Sequence, residues 1–286
     1  MDTTIVPDIA AALNWARARI EASDGRILLR HVLQCAAARL VAHPEVRLEV
    51  PEWEQFQVLV ERRAAGEPIA YLTGEREFFG HVFMVTPAVL IPRHETELLV
   101  ELALANFGDR RGVRVLDLGC GSGALAVTLA RELPAPEVTA VDRSRDALLV
   151  AMANAARLRA NVSFIQSDWF GALGSDRFHL IVSNPPYVMS DDPHLREGDV
   201  RFEPHVALAS GPDGLDDLTA IAAQAPHHLE PDGWLFMEHG YHQAVQVRGL
   251  LTDAGFASIA SYKDLSGIER VTGGQWLGRQ LDDDRD

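Results

Sequence analysis

Cysteine is almost absent, with only Cys35 and Cys120 in 286 residues, and no apolar run reaches the length of a bilayer span. A disulfide framework and a membrane-spanning helix are therefore both excluded as the basis of the fold. The first ten residues lack the basic and then apolar layout of a secretion signal. Positive charge is scarce as well, with 26 Lys and Arg against 41 Asp and Glu and a formal net charge of -15. That balance argues against the broad basic surface on which non-specific nucleic-acid binding depends. The expectation is a soluble, reduced, cytoplasmic protein with no membrane partner and no direct nucleic-acid contact. Biased sequence is confined to the acidic tail, Asp282 to Asp286, so the body is expected to fold around a sizeable core. Its length suits one small domain and one large one.

Apolar residues recur at helical spacing from Ile9 to Ala65, as in Ile9, Leu13, Ala16 and Ile20, which predicts a small helical domain. Pro51, Glu52 and Glu54 open a third helix, and Arg62, Arg63 and Gly66 close it, in accord with the helix dipole and with glycine after the last turn. The segment from Glu77 to Ile91, aromatic and β-branched around Gly80 and Pro87, reads as a short hairpin linking two domains. From Val113 onward, five apolar strands alternate with helical stretches, the pattern of a doubly wound, Rossmann-like α/β sheet. Residues 257–262 and 268–276 would add an antiparallel C-terminal edge. The expected boundaries are a helical domain at 1–74, a hairpin linker at 75–96, a catalytic domain at 97–280 and the tail at 281–286.

Gly119, Cys120, Gly121, Ser122 and Gly123 follow the first of these strands and precede a helix, where glycines permit a tight turn and close approach to a ligand. Asp142 ends the next strand, placed to accept hydrogens from both hydroxyls of a ribose. Nicotinamide and adenosylmethionine cofactors share these demands, and a purely structural turn is the competing reading. Asp168 and Trp169 follow the third strand at the same sheet edge, where the indole would stack on an adenine while the carboxylate accepts from its amine.

The fourth strand runs straight into Asn184, Pro185, Pro186 and Tyr187. The prolines fix the loop and leave carbonyls unpaired. A planar NH2 group has two hydrogens to place, which the Asn184 side-chain oxygen and the Pro185 carbonyl would accept, with the Tyr187 ring against its flat face. Held so, a weak nitrogen nucleophile is oriented for attack on a methyl donor, and neither a metal nor a strong general base is required.

Together these stretches resemble the class I methyltransferases that act on amino or amide nitrogens. The linker sequences Glu67 to Phe78 and Leu90 to Glu97 are similar to those of the protein-(glutamine-N5) methyltransferases that modify peptide chain release factors. Asp24 to Leu33 resembles their N-terminal helical domain, and Glu203-Pro204 with Gly211 to Leu215 resembles a later loop. The resemblance implies S-adenosylmethionine as cofactor, held by Gly119 to Gly123 and Asp142 with Trp169 beside its adenine. It further implies that Asn184 to Tyr187 hold the glutamine of a Gly-Gly-Gln motif in class I release factors. Cys120 stands where the family commonly has Thr, and His94 where it commonly has Pro. Cys120 is expected to pack and to offer its backbone N–H, and His94 to be an exposed loop histidine.

Two features lie outside this reading. An adenine-N6 or cytosine-N4 nucleic-acid methyltransferase uses a similar loop on similar planar amines, though it must also grip phosphates. The chain also carries its own Gly273-Gly274-Gln275, either a mimic of the substrate or a turn ending an edge strand.

Overall fold

In the computed structural model, which describes residues 6–278, the N-terminal helical spacing resolves into α1 (Ile9–Arg17), α2 (Ala22–Leu33), α3 (Ala37–Ala42), α4 (Val50–Ala64) and the single-turn α5 (Ile69–Thr73). At the start of α4 the Glu52 carboxylate accepts from the Glu49 N–H at 2.7 Å, so an acid in the first turn satisfies an otherwise orphaned donor. Gly74, in the left-handed region at φ 74°, ends α5. These helices enclose Ile9, Leu28, Leu29, Phe56 and Val60. The Trp15 and Trp53 rings meet edge to face with centroids 5.0 Å apart. Residues 6–75 form one compact unit together with 197–202, which Asp199 joins through a 2.7 Å contact with Arg63.

The second unit comprises residues 76–196 and 203–278, and the acidic tail at 281–286 lies outside the described residues. The hairpin forms from β1 (Glu75–Phe78) and β2 (His81–Met84), tighter than the sequence suggests. Residues 85–93 continue as irregular chain that buries Val85, Val89 and Ile91. There follow α6 (Glu97–Phe107), β3 (Arg114–Leu118), α7 (Ala124–Glu132), β4 (Glu137–Asp142), α8 (Arg145–Leu158), β5 (Val162–Gln166), β6 (Phe178–Ser183), α9 (Asp216–His228), β7 (Leu229–Glu238), α10 (Ala244–Asp253), β8 (Ala257–Lys263) and β9 (Glu269–Trp276).

The seven-stranded sheet has the order β5-β4-β3-β6-β7-β9-β8, with β8 and β9 antiparallel as expected. The chain winds outward from β3 to β5 and then returns to lay β6 beside β3. That reversal opens a crevice beyond the carboxyl ends of β3 and β6, the place where open α/β sheets bind ligands. Strand alternation sorts the core into two layers. Val115, Leu180, Val182 and Phe236 face residues of α6, α7 and α8, whereas Leu116, Ile181, Leu235 and Met237 face α9 and α10. β7 begins five residues before the apolar run Trp234 to Met237, because Pro231 and Gly233 accompany a register irregularity rather than ending the strand.

Gly273-Gly274-Gln275 is not a turn. It lies within β9, paired to β7 on one side and to β8 on the other. Gln275 is opposite Trp234, four residues before the carboxyl end of β7 that faces the ligand edge, and its side-chain amide donates to the Asp232 carbonyl at 3.3 Å. A Cβ on Gly273 would sit 2.2 Å from the fully buried ring of Phe236, itself stacked on Trp234. Close packing therefore explains this glycine. Gly273→Ala is expected to destabilise the protein by about 3 kcal/mol through overpacking. The check is urea unfolding, where an unchanged midpoint would contradict the packing.

Candidate active site

Three left-handed glycines, Gly119, Gly121 and Gly123, carry the chain from β3 into α7. Gly123 must also lack a side chain because a Cβ there would approach that of Ala151 on α8 to 3.0 Å. The loop is tied down by its own backbone. The N–H groups of Gly119 and Cys120 both donate to the Val141 carbonyl at 2.9 Å, and that of Gly121 donates to Asp142 at 2.9 Å. The Cys120 N–H is thus committed within the protein, contrary to its expected role toward a ligand. Its thiol is buried and pushed up well above the usual range, first by desolvation and then by Asp117 and Asp142.

Asn154 of α8 locks this loop to the hairpin. Its side-chain oxygen accepts from the Met84 N–H at 2.7 Å, and its NH2 donates to the carbonyls of Met84 and Ser122 at 2.9 Å each. Nothing in the sequence marks this residue beyond a polar side chain on an apolar helix face. Asp142 accepts from Gly121 through one oxygen and from Ser144 through the other, and each oxygen retains a second lone pair for a ribose hydroxyl. Burial raises its pKa while those two bonds oppose the rise.

Trp169, at φ 46°, is held in the left-handed region by a compact turn in which Ser167 donates to its carbonyl at 2.8 Å. The indole lies against Gly119, and its N–H donates to Asp217 at 3.2 Å. Asp168 is exposed at the same edge. Across the crevice, Ser183 at the end of β6 donates to the Leu118 carbonyl at 2.8 Å, fixing the start of the next loop. The Asn184 NH2 donates to Thr96 at 3.0 Å, and the Tyr187 hydroxyl donates to Glu238 at 3.0 Å. The Tyr187 carbonyl accepts from Gln243 at 3.1 Å.

A cavity of about 310 Å3 brings together Gly119 to Ser122, Asp142, Asp168, Trp169, Asn184 and Pro186. Pro185, Tyr187 and Gly123, the last capping α7, do not line it. His94 is outside the cavity and exposed, with Nδ1 3.2 Å from Glu97. Over the cavity, the 85–93 segment is held by the buried carboxylate of Glu203, which accepts from the Ile91 N–H at 3.1 Å and pairs with Arg93.

Asp117 is the residue that sequence reasoning left without a role. It is 1% exposed, accepts from the Ala126 N–H at 3.0 Å through one oxygen, and leaves the other without a partner. Desolvation pushes its pKa up to about 7, and Asp142 adds to the rise. A carboxylate inside an apolar strand was the available signal. Five aspartates and only two arginines line the cavity. That charge suits a cationic ligand and repels a pyrophosphate, and the N–H groups of Gly119, Cys120 and Gly121 are already committed within the protein. Between the two cofactor classes left open by the sequence, the site fits the one bearing an ammonium and a sulfonium.

Comparison with known proteins agrees. Residues 94–196 match the methyltransferase small domain, and residues 11–74 match the PrmC N-terminal domain. The release factor glutamine methyltransferase of Bordetella pertussis is 51% identical over 252 residues, 88% of this chain and 93% of that one. That of Burkholderia pseudomallei is 49% identical over 286 residues, 97% of this chain and all of its own length. A T. thermophilus 16S rRNA N2 G1207 methyltransferase, solved with AdoMet and guanosine, shares the fold with a TM-score of 0.52 at 24% identity, over 70% of this chain and 49% of that one. Two layers of helices around a sheet with this strand order, an acidic cavity at its switch point and near-full-length identity of this degree place the chain in the release factor glutamine methyltransferase family.

Proposed function

We propose that this chain transfers a methyl group from S-adenosylmethionine to the side-chain amide nitrogen, N5, of the glutamine in the Gly-Gly-Gln motif of class I peptide chain release factors, in the cytoplasm. The observation that carries the reading is the state of Asn184. Its NH2 is committed to Thr96 while the residue lines the cofactor cavity, so its oxygen is the end left to accept an N–H from a planar amide.

Asp117 is assigned the ammonium of the cofactor, Asp142 the ribose hydroxyls, and Asp168 with Trp169 the adenine. When bound, the cofactor supplies an electrophilic methyl on a sulfonium. Asn184, on the cavity wall, takes one amide hydrogen and Pro186 walls the slot. The Pro185 carbonyl and the Tyr187 ring, which do not line the cofactor cavity, are assigned the second hydrogen and the flat face on its substrate side. Fixing both N–H bonds removes rotational freedom and favours the nitrogen as positive charge develops on it. Among the described residues no helix is long and apolar enough to cross a membrane. The acidic cavity gives a phosphate backbone little to bind, which disfavours a nucleic-acid substrate.

The test is transfer of labelled methyl to a purified release factor, its Gly-Gly-Ala variant, DNA and RNA. Label on the intact motif alone is expected. Label on nucleic acid would support the amino-base reading instead.

A further inference from the structure

Behind the Asn-Pro-Pro-Tyr loop lies a chain of hydrogen bonds that ends on a buried carboxylate. Glu238, the last residue of β7, is 1% exposed. It accepts from the Thr96 hydroxyl at 2.6 Å through one oxygen and from the Tyr187 hydroxyl at 3.0 Å through the other. Thr96 is itself 5% exposed, and its oxygen accepts from the Asn184 NH2 at 3.0 Å. We infer that Glu238 is a positioning residue for methyl transfer, acting through Thr96 to hold the side-chain amide of Asn184 with its oxygen toward the substrate. The inference rests on the glutamine reading above for the identity of the group that Asn184 receives.

The logic is one of donors and acceptors. An ionised carboxylate only accepts, so it takes the single hydrogen of the Thr96 hydroxyl. With that hydrogen spent, the threonine oxygen can only accept from its other neighbour, and Asn184 must turn its NH2 to it. The amide oxygen then faces the cavity. A protonated Glu238 can donate to Thr96, which frees the threonine hydrogen for Asn184 and allows the amide to turn its NH2 to the substrate. Two NH2 groups would then face each other, and the substrate would lose its acceptor. Tyr187 is fixed by the same carboxylate, so one group orients both polar members of the loop.

Burying a carboxylate between two hydroxyls is unfavourable for the fold, which points to a positional role. Desolvation pushes the Glu238 carboxyl up to about 7, Thr96 and Tyr187 hold it down, Glu95 raises it and Arg270 of β9 lowers it. Arg93 acts on the same cluster through Tyr187, whose hydroxyl is driven well above its usual range, first by burial and then by Glu238.

The experiment compares Glu238→Gln, Thr96→Val, their double variant and Thr96→Ser in the full chain. Its readouts are kcat and KM toward the release factor, cofactor binding, and the side-chain amide signal of Asn184, assigned by its loss in Asn184→Ala. Glu238→Gln and Thr96→Val are each expected to lower kcat by about 30-fold or more, with cofactor affinity within about threefold. The double variant should be no worse than the poorer single, because both act through one relay. Thr96→Ser should retain kcat within about threefold, since it keeps the hydroxyl. With cofactor saturating, wild-type kcat should fall as the pH drops below about 7, and that fall should vanish in Glu238→Gln.

The Asn184 NH2 protons should exchange with solvent at least about tenfold faster in Glu238→Gln, a readout that needs no substrate. Full kcat in Glu238→Gln, multiplying losses in the double variant, or an unchanged Asn184 amide would each overturn the inference. Failure of the wild type to label the glutamine, with the amide still turning, would overturn the substrate reading and leave the positioning role standing.

Discussion

Asn184→Ala is expected to lower methyl transfer by about a thousandfold while changing cofactor affinity by less than about threefold. The size follows from what the side chain does. A glutamine amide is a weak nucleophile, and its nitrogen reacts well only when its N–H bonds are held and its remaining electron density is aimed at the methyl group. Asn184 is the one side-chain acceptor on the loop whose opposite end is already committed, to Thr96 at 3.0 Å. Alanine removes that acceptor and leaves the β6 end and the glycine loop intact, because Ser183 still bonds to Leu118 and Gly121 to Asp142. Single-turnover transfer with saturating cofactor, beside calorimetric binding of the cofactor, separates the two effects. A variant that transfers at the wild-type rate would remove Asn184 from the reaction.

Asp117→Asn should move stability and cofactor binding in opposite directions. The cofactor-free protein holds a carboxyl that is 1% exposed with one oxygen unpartnered, pushed from 3.8 up to about 7. A group whose folded pKa is raised contributes its stability fully below its unfolded value and loses it as the pH rises through the folded one. Asp117 therefore makes the cofactor-free protein progressively less stable as the pH rises from about 4 to about 7, with the full loss present above that, and asparagine removes that dependence. At pH 8 the variant should melt higher than wild type without cofactor. It should bind S-adenosylmethionine about 30-fold or more weakly, as expected for losing a hydrogen-bonded charge partner at a buried site. Wild-type affinity should also rise as the pH climbs toward 7, because deprotonation of Asp117 prepares it for an ammonium. Melting curves and binding isotherms across that range check both signs. Equal cofactor affinity in the two proteins would assign the open carboxylate oxygen to something else.

The parts of this structure that were legible in the sequence share a local cause. β3 and β6 are buried on both faces and read as apolar runs, and the glycines between β3 and α7 mark a turn that only left-handed residues make cheaply. The loop after β6 was visible because Asn, two prolines and Tyr interrupt an apolar strand at the edge where ligands bind.

What stayed hidden depends on partners distant in sequence. Glu238 and Thr96 are 142 residues apart, and nothing near either one announces the other. Asn154 is an ordinary helix residue until Met84, 70 positions earlier, is placed beside it. The glycines at 273 and 274 were open to reading as a turn because a missing side chain has the same appearance whether the chain bends or a neighbour fills the space. Here Phe236 fills it at Gly273 and Phe256 at Gly274. Likewise only Asp142 and Asp168 stood out in the sequence, and only the fold adds Asp117, Asp146 and Asp217 to gather five aspartates around one cavity, where their charge favours one cofactor class over the other.

The most direct measurement locates the transferred methyl on the glutamine itself. A release factor labelled with isotopic methyl by this protein is digested, the Gly-Gly-Gln peptide is isolated, and its side-chain amide is hydrolysed. Labelled methylamine released with glutamate left behind is the expected result, since it places the methyl on the amide nitrogen. Label released as methanol, or retained on another residue of the peptide, would mean that Asn184 and its loop do not present a glutamine nitrogen to the cofactor.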